Sequence, residues 1–129
     1  LRAPWPAYVS LYSALADYGV VEEIPQVVYG VSAASPKRYR TLAGEFHIHH
    51  LPQRMIWGYE IRRRGQASYP VAEPEKAFLD LIYLALIPRS RLELPHKRER
   101  RWNLNGDKIK RYAARFAFEP LTRWLRTQR

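Results

Sequence analysis

The segment AEPEKAFLDLIYLALIP, residues 72–88, constrains the fold more strongly than any other part of the chain. Pro74 follows Glu73 at the first helical position, where proline is tolerated, and Pro88 ends the pattern. The apolar residues between them that repeat at helical spacing are Ala77, Phe78, Leu81, Ile82 and Ala85. We therefore predict an amphipathic helix that docks one face against the rest of the protein.

The charged residues at the start of this helix allow two interpretations. A metal-dependent nuclease needs carboxylates that converge from separate elements, whereas Glu73, Glu75 and Asp80 lie within about two turns of one helix start. Lys76 and Asp80 are four residues apart, which is the spacing of a salt bridge on a helix surface. We expect helix-dipole complementation and an exposed Lys76–Asp80 ion pair rather than acid–base chemistry.

Upstream of this helix, the pattern predicts one helix and then several strands. Apolar residues at helical spacing predict a helix over about Tyr8–Tyr18, which Gly19 ends. The predicted extended elements are a strand at Val27–Ser32, a hairpin of Lys37–Thr41 and Glu45–His50 around Gly44, an alternating strand over Met55–Ile61, and a short piece at Tyr69–Ala72. The four residues Arg62-Arg63-Arg64-Gly65 are expected to form an exposed turn.

The last third of the chain predicts two further helices. Asn105 or Asp107 can cap the first of them, and Pro120 suits the start of the second. Their inward residues are predicted to be Ile109, Tyr112, Ala113, Phe116, Ala117, Leu121, Trp124 and Leu125. The order of elements favours a single α+β domain spanning residues 1–129, with an N-terminal helix, a small mostly antiparallel sheet and C-terminal helices.

Length and composition exclude several classes of protein. A chain of 129 residues can bury a core, and it has no cysteine for a disulfide or a thiolate site. No apolar run approaches the roughly 18 residues that a membrane helix needs, and no signal peptide is visible. We therefore expect a cytoplasmic protein without a membrane partner.

Positive charge is concentrated in the last third. The net charge is +10, and the 13 basic and 4 acidic residues after residue 88 supply +9 of it. Such a field attracts nucleic acid or an acidic protein surface, although a solvated charged face is about as consistent with it. The basic residues interleaved with tyrosine at Lys37–Arg40 have the same two interpretations. The candidate nucleic-acid-binding or partner-binding residues are Arg62, Arg63, Arg64, Lys97, Arg98, Arg100, Arg101, Lys108, Arg111 and Arg115.

Other polar residues are weaker candidates for chemistry. His47 and His49 lie on one side of a predicted strand and could share a metal ion, but an exposed polar strand face is the simpler interpretation. Ser10, Ser13 and Ser35 have no nucleophile motif around them, and no glycine-rich phosphate loop is present. We predict no catalytic residues, no metal and no cofactor.

Several stretches, taken together, resemble a known family. They are Tyr8–Leu15 followed by Tyr18-Gly19, Ile24-Pro25 with the strand after it, Ala72–Asp80 and Leu104–Ile109. Their order is similar to that in the C-terminal region of AbiEi-type antitoxins, whose helix start reads Pro-Glu-Lys-Ala-x-x-Asp. The residues that match the family motifs are Ser13, Ala14, Leu15, Gly19, Glu75, Lys76, Ala77 and Asp80.

The resemblance implies a non-enzymatic antitoxin or transcriptional regulator of a type IV toxin–antitoxin system in bacterial abortive infection, a form of phage defence. Its implied partner is a cognate nucleotidyltransferase-like toxin. Family members typically carry a winged-helix DNA-binding domain before this region. Only seven residues precede the first predicted helix, so we expect no winged helix in this chain, and operator DNA binding only if such a domain lies upstream. The alternatives are a free-standing nucleic-acid-binding domain and, less favoured, a metal-dependent nuclease.

Overall fold

The computed structural model describes residues 7–11, 13–14, 27–34, 36–41, 44–64, 67–88, 92, 94 and 104–127. Six strands form one sheet: β1 (Ala7–Val9), β2 (Val27–Ser32), β3 (Lys37–Thr41), β4 (Gly44–His50), β5 (Tyr59–Arg64) and β6 (Ala67–Ala72). The helices after the sheet are α1 (Pro74–Leu86), α2 (Gly106–Phe116) and α3 (Glu119–Arg126). A 3₁₀ turn at Gln53–Met55 lies between β4 and β5.

The sheet is mixed, and its strands do not follow chain order. Their order across the sheet is β3-β4-β2-β1-β6-β5. β4 runs parallel to β2, with Tyr29 opposite His47, and β6 runs parallel to β1, with Val9 opposite Val71. The other three neighbouring pairs are antiparallel. β3 and β5 are therefore the two edge strands of the sheet in the described part of the chain.

Helix α1 supplies much of the core. The side chains of Ala77, Phe78, Leu81 and Ile82 are buried as predicted. The opposite positions, among them Leu79 and Leu84, are buried as well, so the middle of this helix is enclosed on nearly every side. Helices α2 and α3 both pack against α1 and contribute the fully buried side chains Phe116 and Leu121.

Several predicted elements are confirmed. β2 has the predicted bounds Val27–Ser32, and β3 and β4 form the predicted hairpin. α1 begins at Pro74. Asn105 caps α2, because its side-chain oxygen accepts a hydrogen bond from the Lys108 N–H at 3.1 Å. A sheet followed by helices gives the predicted α+β class.

The predicted N-terminal helix is wrong at its start, because the first described element is the strand β1. Tyr8 lies opposite Val31 and is fully buried, so sheet pairing and burial override the helical spacing of nearby apolar residues. A helical turn does follow, in which the Ala14 N–H donates to the Ser10 carbonyl at 3.2 Å. The remainder of that predicted helix, residues 15–18, and Gly19 lie outside the described residues.

The expectation of a mostly antiparallel sheet is also wrong. β4 lies between its hairpin partner β3 and β2, and it runs in the same direction as β2 over six paired residues. Residue alternation indicates which side chains share a face of a strand, but it carries no information about strand order. The sequence pattern therefore could not distinguish this arrangement from a simple antiparallel one.

The predicted strand over Met55–Ile61 begins only at Tyr59, because the residues before it form the 3₁₀ turn and Gly58 has φ +75°. The predicted exposed turn at Arg62–Arg64 is wrong as well. These three arginines are strand residues of β5, paired with residues 67–69 of β6.

Candidate functional site

A buried polar cluster joins α1 to β1 and to the segment before β5. Lys76 and Asp80 form an ion pair, and both side chains have 0% exposure. The Lys76 ammonium also donates to the Tyr8 hydroxyl and to the Met55 carbonyl, each at 2.8 Å. Asp80 accepts from the Tyr8 hydroxyl at 2.9 Å and from the Ser10 hydroxyl at 2.7 Å. We call the side chains of Lys76, Asp80, Tyr8 and Ser10 the sealed cluster.

Hydrogen bonding in the sealed cluster is complete at both charged groups. The ammonium of Lys76 has three donors, and each finds an acceptor. Of the Asp80 oxygens, Oδ1 accepts from Lys76 and Oδ2 accepts from the two hydroxyls. A buried ion pair is tolerated where such hydrogen bonds offset the loss of hydration. The geometry is that of a structural contact, since neither charged group faces solvent.

Aromatic rings enclose the Lys76 ammonium. Its nitrogen lies 4.8 Å from the ring centroids of Trp57 and Phe116, and 5.4 Å from that of Tyr8. Such rings attract a cation while they exclude water from it. Gly58 lies against the Lys76 stem, where a Cβ would come within 2.9 Å of Cγ. Gly58 is therefore required both for its positive φ and for the space that the lysine occupies.

Burial dominates the protonation of these groups. It raises the pKa of Asp80 and lowers the pKa of Lys76 from their ordinary values, while the contact between the two opposes both shifts. Burial and the charge of Asp80 raise the pKa of the Tyr8 hydroxyl well above its usual range. Tyr8 therefore keeps its proton and remains a donor to Asp80.

The expected location of the Lys76–Asp80 pair, on the helix surface, is wrong. The i, i+4 pair forms, but α1 has no solvent-facing side at these positions because apolar residues surround them. Tyr8 and Ser10 reach Asp80 from about 70 residues earlier in the chain, a contact that the local sequence pattern does not indicate. The signal that could have indicated burial is the run of apolar residues on both sides of Asp80, including Leu79 and Leu81.

A second charged cluster joins the starts of α1 and α2 and is partly open to solvent. The Lys108 nitrogen lies 3.1 Å from a Glu73 oxygen and 3.5 Å from a Glu75 oxygen. The Tyr112 hydroxyl donates to Glu73 at 2.5 Å, and the Asn105 backbone N–H donates to Glu75 at 3.0 Å. We call the side chains of Glu73, Glu75, Lys108 and Tyr112 the helix-junction cluster.

Charge stabilises the protonated forms in the helix-junction cluster. Partial burial acts to lower the pKa of Lys108, but the hydrogen bond and the charge of Glu73, together with Glu75, outweigh it and raise that pKa. Partial burial and Glu73 both raise the pKa of Tyr112. The cation and the phenol are therefore held in the forms that donate to the carboxylates.

The predicted basic surface on α2 is only partly free to bind a partner. Lys108 is engaged by the two glutamates, and the Arg115 guanidinium lies 4.2 Å from the Trp57 ring centroid. Arg111 is exposed, as is Lys110, which was not among the predicted binding residues. The exposed basic residues of α2 and α3, which we refer to together as the basic helical surface, are Lys110, Arg111, Arg115, Arg123 and Arg126. Of these, Arg123 lies 3.7 Å from Glu119.

The other predicted basic residues are not part of this surface. Arg62 and Arg63 lie on the edge strand β5, where Arg62 is 3.9 Å from Glu60 and Arg63 is exposed. Arg64 is the last residue of that strand. The candidates that lie outside the described residues are Lys97, Arg98, Arg100 and Arg101.

His47 and His49 share a face of β4, as predicted from the alternation, but this face is half-buried rather than exposed. The Tyr29 ring packs on both imidazoles, with centroid distances of 5.7 and 6.2 Å. The Nε2 atoms of both histidines are buried without a hydrogen-bond partner. Burial is the main cause of a lowered pKa at His49, and the neighbouring His47 and Arg38 lower this pKa further. Among the residues that the structure describes, no three potential metal ligands come together.

The family-motif residues that the structure describes all make structural contacts. Ser13 accepts a hydrogen bond from the Tyr29 N–H at 2.8 Å, which fastens the helical turn to β2. The buried motif residues are Ala14, Glu75, Lys76, Ala77 and Asp80. The motif residues that lie outside the described part are Leu15 and Gly19.

No family model and no curated protein matches this chain. None of the helices in the described part of the chain is long and apolar enough to cross a membrane. What the chain does therefore has to be inferred from its own residues.

Proposed function

We propose that this chain is a cytoplasmic, non-enzymatic antitoxin domain that counteracts a nucleotidyltransferase-like toxin through its basic helical surface. The observation that carries the proposal is that some charged side chains pair within the fold whereas others are exposed and unpaired. The charged side chains of α1 pair within the fold. By contrast, Lys110, Arg111 and Arg126 are exposed and have no ion-pair partner among the described residues. Unpaired surface cations of this kind attract an anionic partner.

The sealed cluster supports a binding function rather than catalysis at the motif helix. Lys76 and Asp80 would be the first candidates for acid–base chemistry, but a general acid or base has to reach the proton that it transfers. Both side chains are fully buried, and their hydrogen bonds are satisfied within the fold. Their contribution is to hold α1 against β1, which in turn fixes the position of α2.

The proposed partner surface on the toxin is acidic. α2 and α3 present arginines, which suit carboxylate groups because the planar guanidinium can donate two parallel hydrogen bonds. Arg115 is held in place on the Trp57 ring, so less side-chain freedom is lost when it binds. The helix-junction cluster fixes the start of α2 relative to α1, which gives this surface a rigid support.

The test is co-expression of this chain with the product of the neighbouring gene, scored by growth. We expect the chain to rescue growth from a nucleotidyltransferase-like toxin. Arg111→Glu should weaken the rescue, whereas Arg38→Glu, an equal charge change at an exposed arginine of β3, should leave it intact. Equal rescue by both variants, each shown to be folded by circular dichroism, would contradict the assignment to the basic helical surface. Failure of the unaltered chain to rescue growth would contradict the antitoxin function.

Nucleic-acid binding is the second candidate, and the exposed cations Lys110, Arg111 and Arg126 favour it because phosphates attract unpaired basic side chains. Binding of this kind weakens steeply with salt, since cations are released from the nucleic acid. A labelled duplex and a labelled single strand, titrated at two salt concentrations, test it. Binding by the unaltered chain that Arg111→Glu abolishes, without any growth rescue, favours this candidate over the antitoxin. Repression of an operator belongs to a longer protein with a winged helix and is proposed only for that case.

A further inference from the structure

The two edges of the sheet differ in their ability to pair with a second copy of the same strand. β3 and β5 each have a single sheet neighbour among the described residues. An edge strand can pair with another copy of itself in antiparallel orientation about a two-fold axis. Residues at equal distances on either side of the central residue then lie directly opposite one another, on the same face of the sheet.

β5 is self-complementary about Ile61. A two-fold axis at this residue places Ile61 against the partner's Ile61, Glu60 against the partner's Arg62, and Tyr59 against the partner's Arg63. The first pair is apolar, the second is a salt bridge that occurs twice, and the third sets a guanidinium beside an aromatic ring. We propose that β5 is a homodimerisation edge, through which two copies of this chain form one continuous sheet.

The exposure of these side chains fits the proposal. Ile61 is 58% exposed and is the only large hydrophobic side chain in the described part of the chain that is exposed. Glu60 and Arg62 are 50% and 36% exposed, and their contact within the strand is long, at 3.9 Å. Across the two-fold axis each of them faces an oppositely charged residue of the partner strand. Pairing would cover Ile61 and the backbone of the edge.

The same operation fails at β3. An axis at Tyr39 places Arg38 against the partner's Arg40, and an axis at either arginine places that residue against its own copy. Like charges directly opposite each other destabilise a strand pair. Repulsion between like charges therefore disfavours pairing of β3 with its own copy, whereas the charges of β5 favour such pairing.

The expected dimer is weak and depends on concentration, because a pair of six-residue strands covers less surface than a standard stable interface. It is independent of the proposed antitoxin function, since it uses β5 and not the basic helical surface. Sedimentation velocity of the purified chain over a wide concentration range tests it directly. We expect a monomer–dimer equilibrium, and a monomer at all concentrations would overturn the proposal.

Charge exchange locates the interface. Glu60→Arg sets an arginine against the partner's Arg62, and Arg62→Glu sets a glutamate against the partner's Glu60, so each should raise the dimer dissociation constant about tenfold or more. The double variant Glu60→Arg/Arg62→Glu restores opposite charges and should dimerise again. An equimolar mixture of the two single variants should form a heterodimer, because each chain then supplies the charge that the other lacks.

Arg38→Glu is the matched control on the opposite edge, and we expect it to leave the dissociation constant unchanged. All variants change side chains that are exposed or partly exposed, and circular dichroism confirms that they are folded before sedimentation. If the single charge reversals at Glu60 and Arg62 dimerise as well as the unaltered chain, the dimer uses another surface and the proposal is wrong. The same conclusion follows if the mixture of single variants stays monomeric.

Discussion

Two lysines, Lys76 and Lys108, each pair with carboxylates of the α1 region, yet their surroundings differ. Lys76 and its partner Asp80 are 0% exposed, and hydrogen bonds and aromatic rings complete the site. Lys108 is 24% exposed, with Glu73 at 25%. Both clusters join a lysine to carboxylate and tyrosine side chains, but only the second is partly exposed to solvent.

Burial, more than pairing, determines how much each ion pair contributes to stability. In the sealed cluster, loss of one partner leaves an unpaired charge that water cannot reach, and such losses cost several kcal/mol. In the helix-junction cluster, water and salt replace a lost partner, so the expected cost is small. Sequence spacing alone favours a salt bridge between Lys76 and Asp80, but it does not indicate whether losing that salt bridge costs much stability or little.

The largest expected effect follows from Asp80→Ala. We expect the free energy of unfolding to fall by about 3–5 kcal/mol, because the Lys76 ammonium and two hydroxyls lose their acceptor inside the fold. Urea denaturation measures this. Phe78→Ala, in the same helix and nearly fully buried, is the apolar benchmark and should cost a similar roughly 3–5 kcal/mol.

A double-mutant cycle sharpens this result. Lys76→Met removes the charge that Asp80→Ala leaves unpaired, so the double variant should lose much less stability than the sum of the two single variants. If Asp80→Ala costs less than about 1 kcal/mol, the pair behaves as a surface salt bridge and the contrast with Lys108 disappears.

Gly58→Ala should have the next largest effect and lower the free energy of unfolding by about 2–3 kcal/mol. The substitution forces an alanine to a positive φ and sets its Cβ within 2.9 Å of the Lys76 stem. The matched control is Gly106→Ala, because a Cβ there would meet nothing within 4 Å. We expect the control to be neutral or slightly stabilising in thermal melts. Equal losses at both glycines would mean that Lys76 does not require the space beside Gly58.

The sequence predicts where the helices and strands begin and end better than it predicts which of them contact one another. The start of α1 at Pro74 was predicted from local chemistry, and Asn105 is one of the two residues predicted to cap α2. The placement of Tyr8 was missed, because what fixes it is a hydrogen bond to Asp80 that lies 72 residues away. Contacts of this kind depend on strand order and packing, which local spacing does not record.

The same limit applies to the candidate binding residues. Lys108 and Arg111 are both candidate binding residues, and their spacing of three residues sets them on neighbouring positions of one helix. The structure divides them, because two glutamates of the α1 region engage Lys108 and leave Arg111 exposed. Charge counting finds a basic segment, but only the tertiary structure shows which charges the fold itself neutralises.

Lys108→Met tests the helix-junction cluster, which is the partly exposed one of the two. We expect it to lower the free energy of unfolding by at most about 1 kcal/mol, since the cluster is partly solvated. The loss should shrink in high salt, because screening already weakens the pair in the unaltered chain. A loss as large as that of Asp80→Ala would show that solvent exposure does not separate the two clusters. Urea denaturation at low and high salt measures both quantities.

The smallest expected effect is a difference between Lys108 and Lys76 in how their contributions to stability depend on pH. The pKa of Lys108 is raised from 10.5, so its pair contributes fully below that pH and is lost as the pH rises through the folded-state value. Tyr112, whose pKa is raised from 10.0, loses its contribution in the same direction. The stability difference between the unaltered chain and Lys108→Met should therefore narrow above pH 10.5. The pKa of Lys76 is shifted downward, so its own titration does not remove stability in this range. A difference that stays constant from neutral pH to well above 10.5 would show that Glu73 does not hold the proton on Lys108.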